Sequence, residues 1–417
     1  MIGLDEFQLP GQPGLSVIGS FDRKTSLYYQ QVRALNLIWL LEQAGQLTGQ
    51  RVCVLGGGIA GVTAAAALLR RGHSLTLLEK GPELLALQRH NHTRRIYPHL
   101  YAWPATGSSE LRAGLPLLDW QAGLSADVAA GWLQEFTEMC RGQAEICLNA
   151  PATALEAVDE VVNGVSSSAY RVSWRDGEST RTQVFDHVIL ALGVGIERSV
   201  PGLPLHSYWQ DDQLPQARGS RILVSGCGEG GLLEVLRLRL QDFDPGALLP
   251  AVADPELGQQ LLAWEQAAPQ TEDPARYVSE RYFSLELPQL DQFLQSRLIK
   301  DLALTLHGPH PDSPLNLQGT ILNRLLVSRL LKLQDIRYIG GTKLVQATAG
   351  EGHYQACFSD GSQQAFDAIL IRHGASSAVK QQFSSLWEQA LAHRPEGSSP
   401  ELLQPLWPDQ FFGPRPL

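Results

Sequence analysis

Six residues near the start of the chain form a glycine-rich motif between an apolar segment and an alanine-rich one. The motif follows residues 51–55 and precedes residues 62–71, and its members are Gly56, Gly57, Gly58, Ile59, Ala60 and Gly61. In a turn of this kind the first glycine permits the sharp bend, the third lets the backbone approach a pyrophosphate, and the last lets helix and strand pack closely. The helix N-terminus then faces the phosphate charge. The spacing therefore predicts a dinucleotide-binding turn, called here the first glycine turn.

An acidic residue follows the next predicted strand, which covers residues 74–78. The Glu79 carboxylate can accept hydrogen bonds from both hydroxyls of an adenosine ribose and would repel a 2′-phosphate. Lys80 stands beside it and is placed in the same site. The alternative is a tight turn followed by a solvated surface acid. Because strand, turn, helix and acid agree, we favour a site for FAD or NAD over one for NADP.

The first half of the chain is predicted to be a βαβ nucleotide domain behind a helical arm. Apolar residues at helical spacing indicate a helix at 25–47, and the residues before it are rich in glycine and proline and predicted to be irregular. The order strand, turn, helix, strand is typical of a parallel sheet with crossover connections. The further elements expected here are a helix at 126–140, a strand at 144–148 and a hairpin that joins 170–174 to 188–192.

The second half repeats this order. The elements expected here are a strand at 221–224, a helix at 230–240, a strand at 302–306, a helix at 321–331, a strand at 336–339 and a hairpin ending at 366–371. Residues 242–300 have helical character and interrupt the pattern as an insertion. The halves also end alike, with an Asp-Gly turn between strands and then Phe-Asp before an apolar run. We infer an internal duplication, with chance similarity of two hairpins as the alternative.

The fold class is therefore predicted as α/β, with two Rossmann-like βαβ nucleotide-binding domains, β-hairpin additions and a helical insertion in the second. The predicted domains are an N-terminal arm at 1–48, an FAD-binding domain at 49–200 that includes an aromatic loop at 88–121, a linker at 201–218, a second nucleotide-binding-like domain at 219–375 and a C-terminal tail at 376–417.

The segment that ends in Ala191, Leu192 and Gly193 favours FAD over NAD on the first turn. Together with the first glycine turn, Glu79 and Lys80 and the Pro-Gly-Leu-Pro linker at 201–204, it resembles the flavoproteins with two dinucleotide-binding domains, the FAD/NAD(P)-dependent oxidoreductases. The resemblance spans roughly residues 50–375. It implies FAD on the first turn with Gly193 beside it. The late Gly-Asp segment that holds the flavin ribityl chain in that family is not recognisable, and 372–374 is the nearest position.

A second glycine motif, residues 226–231, again joins a predicted strand to a predicted helix. We call it the second glycine turn, and its glycines at the same spacing as in the first turn are Gly226, Gly228 and Gly231. The resemblance implies a second nucleotide there, NADH or NADPH. However, the following strand ends without an acid for a ribose or an arginine for a 2′-phosphate, and Glu229 inside the turn would repel phosphate. A working nicotinamide site and a vestigial turn therefore both remain open.

Aromatic, histidine and proline residues cluster between 88 and 121 without clear periodicity. In the family that the chain resembles, such a segment brings residues towards FAD and substrate. The residues that could neutralise the pyrophosphate are Arg94 and Arg95. The catalytic candidates, a proton-transfer group and two rings that could wall the flavin or substrate, are His99, Tyr101 and Trp103. The alternative is a surface loop whose aromatic side chains pack on the sheet.

Composition excludes several classes of function. The formal charge of −10 repels phosphate backbones and anionic lipid headgroups, so we expect neither nucleic-acid nor membrane partners. No apolar run reaches the roughly 20 residues of a bilayer span, and no signal sequence opens the chain. Five scattered cysteines predict a reduced, cytoplasmic protein, and their spacing argues against a disulfide reductase with a paired dithiol. No metal-ligand spacing is present.

We therefore expect an FAD-dependent oxidoreductase that acts on a small organic substrate, an amine or an aromatic compound, as an oxidase or as an NAD(P)H-dependent monooxygenase. The rival hypothesis is a non-catalytic dinucleotide-binding regulatory or partner-binding protein that uses residues 242–300 as a docking surface. An NAD-dependent dehydrogenase without flavin fits the segment ending at Gly193 and the duplicated layout less well. The oligomeric state is left open.

Overall fold

The computed structural model describes residues 3–9, 11–19, 26–140, 142–162, 165–193, 195–205, 207–211, 214, 219–376, 382–385, 388 and 403–413. The chain forms two compact units. The first comprises residues 1–98, 111–196 and 376–417, and the second comprises residues 99–110 and 197–375. Within the described ranges, none of the helices combines the length and the apolar character that a bilayer span requires.

The first unit contains a parallel sheet, a three-stranded antiparallel sheet and helices. Its elements are β1 (Leu15–Val17), α1 (Leu27–Gln43), β2 (Val52–Leu55), α2 (Ile59–Arg70), β3 (Leu75–Leu78), α3 (Ala86–Arg89), β4 (Arg95–Ile96), β5 (Gly123–Leu124), α4 (Ser125–Cys140), β6 (Ala144–Cys147), β7 (Ala152–Val162), β8 (Val165–Asp176), β9 (Ser179–Phe185) and β10 (His187–Leu190). The parallel sheet has the order β1-β10-β2-β3-β6. Its strands β2 and β3 are buried along their whole length and carry one polar residue, Thr76, as expected of strands covered on both faces.

The N-terminal region differs from the prediction in two places. Residues 15–17 were expected to be irregular, but they form β1, which pairs in parallel with β10 through Leu15 and Val17. The predicted arm is a core helix: α1 packs against α2, and Val32 and Leu35 are fully buried. The physical reason is that residues 15–17 extend the parallel sheet at β10 and α1 places apolar side chains against α2, and burying such side chains is worth about 1.5–3 kcal/mol each.

The predicted hairpin of the first unit has a different second strand. Strand β8 pairs with β7 on one side and with β9 on the other, and the turn between β8 and β9 follows Asp176. Residues 187–190, which were expected to complete the hairpin, form β10 in the parallel sheet instead. The two sheets share one core, in which Trp174 and Phe185 pack with Leu190.

The second unit has the same layers with an added helical insertion. The elements from residue 196 onward are β11 (Ile196–Glu197), β12 (Arg221–Ser225), α5 (Glu229–Arg239), α6 (Pro245–Leu248), α7 (Pro255–Ala267), α8 (Pro274–Ser284), α9 (Pro288–Ser296), β13 (Ala303–His307), α10 (Ile321–Lys332), β14 (Arg337–Ile339), β15 (Leu344–Ala349), β16 (Tyr354–Phe358), β17 (Gln363–Phe366), β18 (Ala368–Ile371) and β19 (Ala375–Ser376). The parallel sheet has the order β14-β13-β12-β18, beside the antiparallel sheet β15-β16-β17. Helices α6 to α9 form the predicted insertion.

The two units repeat one plan. In each, an antiparallel three-stranded sheet precedes a strand that returns to pair in parallel with the strand before the glycine turn, β10 with β2 and β18 with β12. In each unit, an ion pair between an arginine and an aspartate joins the starts of these two paired strands. The backbone N–H groups of Arg51 and Arg221 each donate to an aspartate at 2.7 Å, Asp186 and Asp367 respectively. The predicted α/β class with two parallel-sheet nucleotide folds is confirmed.

The domain boundaries differ from the predicted ones. The aromatic loop at 88–121 was assigned to the first domain, but its central part, residues 99–110, belongs to the second unit. Residues 403–413 of the predicted tail pack in the first unit. There the side-chain amide of Asn36 donates to the carbonyl of Gln404 at 2.9 Å, and its oxygen accepts from the N–H of Leu406 at 2.8 Å. Tertiary contacts, not chain order, set these boundaries.

Candidate functional site

The first glycine turn connects β2 to α2 with two glycines that the fold itself requires. Gly56 has φ +113°, and a β-carbon there would collide with the carbonyl oxygen of Ala191. A β-carbon on Gly61 would collide with the carbonyl oxygen of Gly56, so the helix lies directly against the turn. Both positions behave as the sequence predicts, since one permits the bend and the other the close approach of helix and strand.

Gly58 is different because its missing side chain faces open space. A β-carbon on Gly58 would meet no atom within 4 Å, and its backbone is extended, with φ −76° and ψ 180°. Gly58 is the N-cap residue of α2, and no side chain of the described residues caps this helix. The first N–H groups of α2 are therefore available to an anion, as they are where helices bind phosphate. Ile59 and Ala60 complete the first turn of the helix and are buried.

Glu79 lies at the end of β3 and reaches back to the first glycine turn. Its Oε2 accepts a hydrogen bond from the N–H of Gly57 at 2.6 Å, and its Oε1 accepts one from the N–H of Gly81 at 2.7 Å. A carboxylate offers about four acceptor positions, so two remain for ribose hydroxyls. Glu79 is half-buried and Lys80 is exposed. The structure thus brings the predicted acid to the turn, where it holds the backbone.

The end of β10 lies at the same edge of the sheet. Ala191 contacts both Gly56 and Gly61 of the first glycine turn, and Gly193 is exposed, with φ +74° and no atom within 4 Å of a β-carbon position. Three sequence motifs that are far apart in the chain therefore meet at the carboxyl ends of parallel strands. This edge is where open α/β sheets bind their ligands.

The two arginines of the aromatic loop occupy different environments. Arg94 is buried, its backbone N–H donates to the side-chain oxygen of Asn91 at 2.8 Å, and its carbonyl accepts from the N–H of Ser125 at 2.9 Å. Arg95 begins β4 and is exposed. An interior guanidinium in the first unit is the better of the two candidates for a buried phosphate group, because a surface arginine is already solvated.

The predicted catalytic residues lie in the second unit. His99, Tyr101 and Trp103 belong to residues 99–110, and not to the unit that carries the first glycine turn. Trp103 is 7% exposed and packs into the core of the second unit with residues of β12, α5 and the helical insertion. This corrects the expectation that Trp103 lies against a flavin or substrate ring, because its indole ring packs against apolar side chains of the second unit instead.

The second glycine turn repeats the backbone geometry of the first. Gly226 has φ +130°, and a β-carbon there would collide with the carbonyl oxygen of Arg372. A β-carbon on Gly231 would collide with the carbonyl oxygen of Gly226. The register pairs Ile371 with Ser225 as it pairs Leu190 with Leu55, so residues 372–374 correspond to 191–193. Residues 372–374 are thus the duplicate of that segment, and not a late flavin-binding one.

Polar groups that the sequence analysis missed surround this second edge. Ser225 Oγ lies 2.8 Å from Nδ1 of His307 and 2.7 Å from Nε2 of His373. Burial, reinforced by the charge of His373, lowers the pKa of His307 to about 4, and burial also lowers the pKa of His373. The only sequence signal for this cluster was the position of each residue at a strand end, which becomes informative once the duplicated register is known.

A buried ion pair lies beside the same edge. Arg372 donates to Oε1 of Glu234 through Nε at 3.1 Å and Nη2 at 2.7 Å, and Arg237 donates to Oε2 at 2.8 Å. Glu234 is fully buried and Arg372 is 5% exposed. A buried carboxylate with two guanidinium partners holds α5 to the end of β18 and fixes the backbone that contacts Gly226.

The family described as FAD dependent oxidoreductase matches residues 51–141, which contain the first glycine turn, Glu79 and the whole aromatic loop. The first unit carries an FAD-dependent oxidoreductase domain. The predicted enzyme class and the predicted cofactor FAD are thereby confirmed. The geometry agrees, because uncapped helix N–H groups, an open third glycine and the carboxylate of Glu79 lie together in this domain.

Several solved structures are similar in fold. The bacillithiol disulfide reductase Bdr (YpdA) of Staphylococcus aureus is 12% identical with a TM-score of 0.45, over 80% of each chain. The thioredoxin reductase of Lactococcus lactis is 14% identical with a TM-score of 0.41, over 78% of this chain and 77% of that one. The ornithine N-hydroxylase of Kutzneria sp. 744 is 12% identical with a TM-score of 0.40, over 78% and 80%. No curated protein matches the chain.

Proposed function

We propose that the protein binds FAD on the first glycine turn and oxidises a small organic substrate, an amine or an aromatic compound. The observation that carries the proposal is the open face of Gly58 at the uncapped N-terminus of α2. A diphosphate there would accept hydrogen bonds from the helix N–H groups and experience the positive end of the helix dipole. When bound, FAD supplies the two-electron chemistry that protein side chains lack.

Other residues of the first unit would hold the remaining parts of the cofactor. Glu79 has two acceptor positions left for the hydroxyls of the adenosine ribose. Gly193 leaves space at the end of β10, where a side chain would narrow the approach to the turn. The buried guanidinium of Arg94 is the charge that we assign to the pyrophosphate, and Arg95 and Lys80 are exposed cations that contribute at longer range.

The cysteines support an organic substrate over a disulfide. All five are free thiols. No two of them are separated by only two residues, so the chain lacks the Cys-x-x-Cys dithiol that relays electrons to a disulfide. Cys53 is fully buried, and burial raises its pKa well above the usual range, which makes this thiol unreactive. We also infer a cytoplasmic location from these five free thiols.

The test is the flavin content of the purified protein and of two matched variants. The wild-type protein should be yellow, with one FAD per chain. Gly58→Val should lower FAD affinity about 10- to 100-fold, since overpacking costs about 1–3 kcal/mol, without disturbing the fold, because the new side chain meets no protein atom near its β-carbon. Gly228→Val places the same side chain in the second glycine turn and should leave FAD content unchanged.

Two outcomes would reject the proposal. One is a wild-type protein that stays colourless after reconstitution with FAD. The other is full FAD occupancy in Gly58→Val together with loss of FAD in Gly228→Val. If FAD is present, anaerobic mixing with a panel of amines and phenols, followed by admission of oxygen and assay of hydrogen peroxide, identifies the substrate class.

A further inference from the structure

We propose that the second glycine turn does not bind a nicotinamide nucleotide, because Glu229 places a carboxylate beside it, so that the organic substrate is the source of electrons. This inference rests on the proposed function, because it concerns what reduces the flavin. It decides between the two possibilities left open above, an oxidase and an NAD(P)H-dependent monooxygenase. The argument compares equivalent positions in the two units.

The ribose acid is missing from the second unit, and there is no room for one. The register pairs Leu55 with Leu78 in the first unit and Ser225 with His307 in the second, so Gly308 corresponds to Glu79. A β-carbon on Gly308 would lie 2.5 Å from Sγ of Cys227 and 3.0 Å from the hydroxyl of Tyr338. The space that an acid side chain needs is therefore filled by the chain itself.

Glu229 places an anion at the position where Ile59 stands in the first turn. Its Oε2 accepts a hydrogen bond from the N–H of Thr320 at 2.6 Å, and its Oε1 accepts one from the side-chain amide of Asn323 at 2.8 Å. Thr320 is the N-cap residue of α10. The carboxylate therefore satisfies the N-terminus of a neighbouring helix, as a bound phosphate would. Above pH 7, where this side chain is ionised, a dinucleotide phosphate at this turn would meet a negative charge that is already hydrogen-bonded.

The approach to the second turn is also narrower than the approach to the first. Gly58 faces open space, whereas a β-carbon on its counterpart Gly228 would lie 3.4 Å from the side-chain oxygen of Gln318. A β-carbon on Gly230 would lie 3.3 Å from the Arg372 side chain and 3.5 Å from the Tyr208 ring. Side chains of the second unit thus lie in contact range of this turn, whereas no atom lies within that range of a β-carbon on Gly58 in the first turn.

Without a nicotinamide site the electrons have a different origin. The organic substrate loses two electrons and two protons, and dioxygen takes them up as hydrogen peroxide. The overall reaction balances with the substrate and dioxygen as the only reactants. An NAD(P)H-dependent monooxygenase requires a nucleotide position that the second unit does not provide, so an oxidase is the class that the structure favours.

The experiment measures nicotinamide binding to the FAD-loaded protein. Isothermal titration calorimetry with NADH and NADPH up to about 1 mM, the upper end of typical enzyme affinities, should give no saturable binding. Anaerobic addition of either nucleotide should leave the flavin absorbance near 450 nm, a general property of oxidised flavin, unchanged for minutes. Saturable binding that Gly228→Val abolishes while FAD is retained would overturn the inference. Bleaching of wild-type flavin by either nucleotide would overturn it too.

A second measurement tests the role assigned to Glu229 without any nucleotide. Burial raises the pKa of Glu229 to about 7, so the measurement is made at pH 8.5, where the side chain is ionised. Glu229→Gln should lower the thermal midpoint by several degrees, because the amide loses one of the two acceptors. The control Glu256→Gln changes an exposed glutamate in the first turn of α7 and should leave the midpoint unchanged. Equal midpoints for the two variants would contradict the proposal.

The failures of the two proposals are distinguishable. A wild-type protein that holds no FAD rejects the proposed function, whatever its behaviour with nicotinamides. A protein that holds FAD on the first turn and is reduced by NADPH keeps the proposed function and rejects only this inference.

Discussion

Glu79→Gln separates the two roles that Glu79 has in this protein, one visible in the contacts and one proposed. In the structure its two carboxylate oxygens accept hydrogen bonds from Gly57 at 2.6 Å and from Gly81 at 2.7 Å. The glutamine side chain has nearly the same shape but only one acceptor oxygen. Its NH₂ group would face a backbone N–H donor, so one of the two hydrogen bonds is lost.

The expected magnitudes follow from this loss. A hydrogen bond to a charged acceptor contributes about 1.5–3 kcal/mol, so the FAD-free protein should lose about that much unfolding free energy. For a unit of this size each kcal/mol shifts the thermal midpoint by about 2–4 °C, which gives a decrease of about 3–12 °C. If the carboxylate also accepts a hydrogen bond from a ribose hydroxyl, the affinity of the variant for FAD should fall as well, by about 10- to 100-fold.

Two assays measure the two effects independently. Denaturant unfolding of the apoprotein gives the change in unfolding free energy, and quenching of FAD fluorescence on reconstitution gives the dissociation constant of FAD. Glu83→Gln is the matched control, because Glu83 pairs with Arg89 and His90 near the surface and surface ion pairs contribute about 0–1 kcal/mol. Glu79→Gln protein that is destabilised but binds FAD within twofold of wild type would refute the assignment of Glu79 to the ribose.

Three other outcomes are expected. Gly61→Ala should destabilise the first unit by at least about 1–3 kcal/mol in denaturant unfolding even without FAD, because its β-carbon collides with the carbonyl of Gly56; an apoprotein as stable as wild type would count against this packing. The pKa of His307 is lowered to about 4 in the folded protein, whereas the unfolded chain binds this proton at the ordinary pKa of 6.5. The free energy of unfolding that is present above pH 6.5 is therefore lost as the pH falls towards 4. His307→Asn should flatten that slope between pH 7 and 4.5, and an unchanged slope would contradict it. Arg372→Met leaves the buried Glu234 with one partner fewer and should cost about 3–5 kcal/mol by thermal or denaturant unfolding.

The nucleotide-binding core of the first unit could be predicted because its signals are local in sequence. Gly56, Gly58 and Gly61 are two to five positions apart, and Glu79 follows the very next strand. A short connection leaves few geometries for such a segment, so sequence spacing translates directly into spatial arrangement. The repeated Phe-Asp before an apolar strand likewise identified the duplication, and the structure shows the reason: each aspartate closes the first strand pair of its unit.

The errors concern segments whose partners lie far away in the chain. Residues 15–17 are too few to show a periodicity, and they form a strand only because residues 188–190 offer an open edge. Trp103 could have faced a ligand or a core, since an aromatic ring suits both, and the apolar residues of the second unit decided the outcome. The cluster around Ser225 joins three strands and has no signature along the chain.

The sequence by itself determined the chemistry that the first glycine turn offers and the doubling of the fold, since residue type and short spacing fix local backbone geometry. Only the tertiary structure decided that Gly58 faces open space and that Gly228 faces the side chain of Gln318, although the two glycines occupy the same place in the same motif. The difference arises from Gln318, which lies about ninety positions further along the chain and reaches the second turn only in the folded structure. Whether a turn can accept a ligand depends on the space in front of it, and that space is filled by side chains that only folding brings there.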